Sequence, residues 1–132
     1  MIEKANRVTR DIDQERAAYA WKNVLGCDDK YANLAKSAPA LIMNNGLMQT
    51  LAFYKAKGKD KKDDHHTNLL EHVCVWLCKC GYGSQGDSSF GSVMKALYES
   101  PESVRYRRAT EEALGLLRWI RQFASALVKD KE

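Results

Sequence analysis

Seven side chains stand out for the chemistry they could do: Cys27, Cys74, Cys78, Cys80, His65, His66 and His72. Metal binding is the first reaction class to test. The spacing C-x3-C-x-C matches none of the usual zinc patterns, which pair ligands at C-x2-C or H-x3-H distances. On a helix, Cys74 and Cys78 share a face while Cys80 points roughly 160–200° away. With His72 nearby a metal site is conceivable, but buried small hydrophobes are the better reading of these cysteines. His65 and His66 read as solvated residues in the first turn of a helix. No metal and no cofactor is expected.

Catalysis needs titratable groups that converge in a cleft. The acidic residues fall instead at helix starts and on charged faces. An arginine followed four to six residues later by a histidine, the arrangement of helical ribonucleases of the HEPN type, is missing: the nearest arginine before His65 is Arg16. The Gly/Ser-rich stretch "GYGSQGDSSFG" has no Gly-Lys-Ser/Thr after it and is no phosphate loop. It reads as a mobile connection. The expectation is a protein without catalytic residues.

Charge narrows the partners. The chain of 132 residues holds 21 Lys+Arg against 17 Asp+Glu, a net charge of +4. The excess is spread evenly along the chain, so any surface for a polyanion must be assembled by folding. The start, "MIEKANRVTR", lacks the apolar region of a secretory signal. That predicts a cytoplasmic, reducing compartment and free thiols. The longest uncharged run, Ser37–Tyr54, carries too many polar residues for a lipid-spanning helix, so no membrane partner is expected.

As for the elements that must position these groups, nearly every segment has helical period. An all-α fold follows: a single compact bundle of about six helices, one domain over 1–132. The first helix spans Asp11–Leu25, with Ala17, Ala18, Trp21, Val24 and Leu25 inward. "DDKYANLAK" is a short second one. Pro39 fits the first turn of a third helix that runs through "LIMNNGLMQTLAFYKAKG". Its apolar residues go all the way round, which places it in the middle of the bundle. Asn45 and Gln49 share a face there, either as a hydrogen-bonded polar core pair or as a patch facing a partner. Gly46 between them would permit close approach of a neighbour.

A charged loop, "KDKKDD", leads to a fourth helix over Asp64–Cys80 with Leu69, Val73, Trp76, Leu77 and Cys80 inward. "VMKALYES" is a short fifth. Ser100-Pro101 caps a long last helix, Glu102–Val128. Tyr106, Ala113, Leu117, Ile120, Ala124 and Leu127 form its apolar arc. Arg107, Arg118, Arg121 and Lys129 line the opposite side, with Arg108 beside them. Such a stripe is either a solvated face or a nucleic-acid contact. Leu116 and Trp119 flank the arc, and Leu114 interrupts the basic side; if exposed they would contact protein.

The blocks "DQERAAYAW", "PALIMNNGLMQTLAFYKAKG" and "TEEALGLLRWIRQFASAL" resemble the small, all-helical subunit of the type III-B CRISPR effector, the Cmr complex. They occur in the family's order and span most of the chain. The resemblance implies a non-catalytic protein for antiviral defence, whose copies stack beside the backbone subunits and help hold target RNA on guide RNA. It makes Arg107, Arg108, Arg118, Arg121, Lys55, Lys57, Lys59, Lys61, Lys62, Arg16 and Lys22 the candidate RNA-binding residues. The equivalent type III-A subunit and a helical adaptor that binds only protein are the rival readings.

Overall fold

The computed structural model describes residues 11–84 and 86–128. They form six α-helices: α1 (Ile12–Val24), α2 (Asp29–Asn45), α3 (Leu47–Gly58), α4 (His65–Lys79), α5 (Phe90–Tyr98) and α6 (Ser103–Val128). There is no named strand among the described residues, only an isolated bridge between Ser84 and Asp87. Among the same residues, no helix is long and apolar enough to cross a membrane. The all-helical expectation holds. Several boundaries and faces do not.

Local caps set most of the starts. Asp11 and Gln14 close a capping box at α1, with Gln14 N donating to Asp11 Oδ1 at 2.9 Å and Asp11 N donating to Gln14 Oε1 at 3.1 Å. Asp28, Asp64 and Ser89 accept first-turn N–H bonds at α2, α4 and α5 in the same way. α6 starts at Ser103, beyond the expected Ser100-Pro101 cap.

The largest departure lies between residues 28 and 58. The short second helix does not stop before Pro39 but runs through it to Asn45. Tyr31, Ala35, Ala38 and Ile42 recur at helical spacing and are buried, so packing of that face outweighs the missing Pro39 N–H. The break comes instead at Gly46, with φ 92° and ψ 158°. That region is essentially glycine-only. Gly46 ends α2 by donating to Ile42 O at 2.7 Å. It starts α3 by accepting from Thr50 N at 3.1 Å and Thr50 Oγ1 at 2.9 Å. The Tyr106 hydroxyl accepts from Met48 N at 3.1 Å and fixes the corner to α6.

The break moves every side chain after it. α3 buries Leu47, Thr50, Leu51 and Tyr54 and leaves Phe53 exposed, while Met43 at the end of α2 is 72% exposed. This helix is therefore not the centre. Asn45 and Gln49 lie on different helices and both are exposed, so they form no polar core; Thr50 is the buried polar residue among the described residues.

The central helix is α6. It contacts α1, α2, α4 and α5, and buries Ala109, Ala113, Gly115, Leu116, Leu117, Ile120 and Ala124. Small residues dominate that list and let neighbours approach closely. Leu116 is buried and Leu114 and Trp119 pack against the core, so these three do not make the exposed surface considered from sequence. α1 turns Ala20 and Val24 inward and leaves Trp21 and Leu25 exposed. α4 buries Leu69, Val73, Trp76 and Leu77 as expected, with Cys80 partly buried. Described residues of the glycine-rich connection hold hydrogen bonds: the Cys78 thiol donates to Ser84 O at 3.2 Å, Ser84 N donates to Ser92 Oγ at 3.0 Å, and Arg105 donates to Gly81 O.

The corner gives a direct test. Gly46→Ala should cost about 1–3 kcal/mol, because an L residue is strained at this φ and ψ. Gly91→Ala, on α5 where a Cβ meets nothing within 4 Å, should be neutral or slightly stabilising. Urea unfolding followed by circular dichroism reads both.

Candidate nucleic-acid interface

Arg16 is the candidate that the structure withdraws from the surface. Its guanidinium grips Glu112 of α6 through two bonds, Nε–Oε2 at 2.6 Å and Nη2–Oε1 at 2.8 Å. A third bond joins Nη1 to Asp13 Oδ1 at 3.0 Å. Trp76 of α4 donates its indole N–H to Glu112 Oε2 at 2.7 Å, and Trp119 donates to Asp13 Oδ1 at 3.0 Å. Three helices thus meet at one carboxylate. The charge is partly buried but fully partnered, which such a site requires. A Cβ on Gly115 would come within 2.9 Å of Arg16 Nε, so the glycine makes room for the guanidinium.

The titration behaviour follows from these bonds. The hydrogen bond from Arg16, opposed by burial and helped by Trp76, holds the Glu112 carboxyl below its ordinary value. The Trp119 and Arg16 bonds do the same for Asp13. The Arg16 guanidinium is pushed further up by Glu112. Arg16 is therefore a structural ion-pair member, and Glu112 does not dilute the basic stripe from outside.

The α6 arginines are different. Arg107, Arg118 and Arg121 are all exposed and recur on one side of the helix over about 21 Å, taking 1.5 Å per residue. Arg108 is exposed on the flank. None of the four forms an ion pair among the described residues. Glu111 lies exposed on the same side as the stripe. Lys129 lies outside the described residues.

The lysines divide. Lys55 pairs with Asp60 at 2.6 Å and lies over the Phe90 ring at 5.6 Å, and Lys57 lies over Phe53 at 5.8 Å. Lys59 closes α3 in the left-handed conformation, at φ 52°. Lys61 and Lys62 are exposed in the following turn. Lys22 is also exposed. It borders a concavity of about 600 Å³ between α1 and α4, lined also by Tyr19, Trp76, Lys79, Cys80 and Tyr82. Sequence reasoning missed Lys79 and Arg105, whose charges rest over Tyr19 at 5.6 Å and Tyr82 at 5.1 Å. Only the tertiary fold brings those rings beneath them.

Burial pushes the Cys74 thiol up to about 12 and Cys80 up to about 11, away from the reactive thiolate. All four cysteines are free. Burial lowers His72 to about 4, so it is a neutral hydrogen-bonding group in contact with the Tyr31 hydroxyl at 2.7 Å. His65 and His66 do stand in the first turn of α4, but they are partly buried beside Asp64 rather than freely solvated.

These features define a small all-helical protein with a structural ionic centre and exposed arginines on its longest helix. The sequence profile of the CRISPR-associated protein family Cas_Cmr5 matches residues 12–127, and the chain belongs to that family. Among its relatives, the CRISPR system Cmr subunit Cmr5 of Thermotoga maritima is 26% identical over 106 residues, 79% of this chain and 71% of that one. The subunit of the same description from Thermus thermophilus is 29% identical over 101 residues, 76% of this chain and 77% of that one. The crystal structure of a Cmr5 family protein, also from Thermus thermophilus, superposes with a TM-score of 0.69 at 27% identity, covering 90% of this chain and 99% of that one. The resemblance read from the sequence blocks is confirmed at the level of the family, type III-B rather than type III-A.

Glu112→Gln should destabilise the fold by about 2 kcal/mol, since it removes a charge-assisted acceptor from Arg16 and Trp76. Because folding lowers the Glu112 value, the contribution is complete above the ordinary carboxyl value of 4.5 and disappears as pH falls through the lower folded value. Urea midpoints of the two proteins should differ at pH 7 and converge in acid.

Proposed function

We propose that the chain is the non-catalytic small subunit of a Cmr complex acting in the cytoplasm as one helical domain. Copies of it stack beside the backbone subunits, and the outer face of α6 lies along the guide–target RNA. The family match over residues 12–127 carries this reading, since relatives of that family are named as Cmr subunits. The arginine stripe supports the RNA contact. Arg107, Arg118 and Arg121 are exposed on one side of a helix, free of ion pairs among the described residues, and cations so placed can neutralise phosphates.

Such contacts recognise backbone shape rather than base sequence. A few phosphate contacts per copy bind weakly alone and become strong when stacked copies act together, an effective-concentration effect. The groups with shifted titration in the interior are held in hydrogen bonds or buried, which supports the absence of a catalytic role. Arg108, Lys22, Lys59, Lys61 and Lys62 are secondary contacts in this reading. Lys55 and Lys57 contribute only if they leave Asp60 and Phe53.

A second reading rests on the exposed apolar side chains Met43, Phe53 and Tyr98, which suit a protein-only adaptor. Binding to a guide–target duplex across a salt series, with and without the backbone subunits, separates the two. The isolated chain should bind weakly and lose affinity as salt rises, and co-assembly should tighten binding. The variant R107E/R118E/R121E should keep its helicity and assembly but lose RNA retention at least roughly tenfold, with a shallower salt slope. Undiminished retention would move the RNA face, first to the turn carrying Lys59, Lys61 and Lys62. Indifference of the wild-type complex to RNA would leave the adaptor.

A further inference from the structure

The turn between α3 and α4 brings three metal-ligating side chains together. Asp64 caps α4, and His65 and His66 are its first two residues. Donor atoms of the three lie within 4.8 Å of one another. Asp64 Oδ1 is 3.0 Å from His66 Nδ1 and 4.0 Å from His65 Nδ1, and the two imidazole rings are 4.2 Å apart. Zinc–ligand bonds of about 2.0–2.2 Å place neighbouring ligand atoms about 3–3.5 Å apart. The existing distances bracket that edge, so small side-chain rotations close the set.

We propose that Asp64, His65 and His66 form a binding site for a divalent transition-metal ion of the zinc, nickel and cobalt class. Two imidazoles and one carboxylate suit these ions, whereas magnesium and calcium prefer oxygen-only sets. All three side chains are partly buried, which limits the freedom lost on binding. The carboxylate is already oriented, because Asp64 Oδ1 accepts the His66 backbone N–H at 2.7 Å. The positive end of the α4 dipole opposes a cation here, and the acidic residues Asp63 and Asp28 near the turn offset it. The Cys78 thiol is spent on the carbonyls of Ser84 and Asp87, and Cys74 is buried; Cys27 lines the same concavity as His65 but is not among the three clustered donors. His72, the remaining histidine, is held by Tyr31.

A bound ion would clamp the turn that carries Lys59, Lys61 and Lys62 onto the first turn of α4. Nothing in this requires RNA, so the test is independent of the function proposed above. Tag-free protein stripped with a chelator is titrated with Zn²⁺, Ni²⁺, Co²⁺ and Mg²⁺ by calorimetry. One equivalent of Zn²⁺ or Ni²⁺ should bind, Mg²⁺ should not, and Co²⁺ should show a visible absorption band. Asp64→Asn keeps a good helix cap but removes the anionic ligand. It should weaken Zn²⁺ binding at least roughly tenfold while leaving the urea midpoint unchanged. H65Q/H66Q should abolish binding, and amide exchange over residues 59–66 should slow with Zn²⁺ in the wild type alone. Absence of one-equivalent binding, full affinity in D64N or H65Q/H66Q, or loss of binding in Cys27→Ser would overturn the assignment.

Discussion

The carboxylate of Glu112 is where the bundle is tied. It takes a guanidinium from α1 and an indole N–H from α4 while sitting on α6, and Asp13 repeats the pattern with Arg16 and Trp119. Burying part of an ion pair is costly unless its hydrogen bonds are complete, and here each partner is held by more than one bond. That completeness makes the contact directional. Apolar packing along α6 would tolerate helices sliding by a fraction of a turn, but a two-pronged Arg–Glu bond does not. The orientation of α1, and with it the exposure of Trp21 and Lys22, depends on this junction.

The same junction explains how charge is shared between inside and outside. α6 carries acids and bases at neighbouring positions, and the fold sorts them. Glu112 goes inward to Arg16, leaving Glu111 as the acidic residue among the exposed arginines of that stretch. The exposed side of α6 thereby carries Arg107, Arg118 and Arg121 against Glu111.

Much of this was legible in the residues. α4 and α6 announce themselves through apolar side chains at helical spacing, and the arginine stripe needs only the 3.6-residue period. Three things were hidden for three different reasons. Pro39 is a local breaker, and only the burial of Ala35, Ala38 and Ile42 shows that tertiary packing overrides it. Gly46 is flanked by apolar residues that go all the way round a helix, and helix resumes immediately after it, so a shift of face at one positive φ is not apparent from the residue types. Arg16 resembles any surface cation, since the partner that claims it is 96 positions away. Asn45 and Gln49 failed as a pair for the second reason: their shared face exists only if the helix is continuous.

The position of α6 in the chain order has a consequence for biosynthesis. The helix that α1, α2, α4 and α5 all lean on is the last of the six to be made. Until it leaves the ribosome, Arg16 has no Glu112, and the α2–α3 corner has no Tyr106 to hold it. The earlier helices must wait as a loose apolar assembly, and long-range closure is slow relative to local helix formation. A nascent chain without α6 lacks the partner that buries the inward faces of α1, α2, α4 and α5, and so leaves apolar surface open to chaperones and proteases.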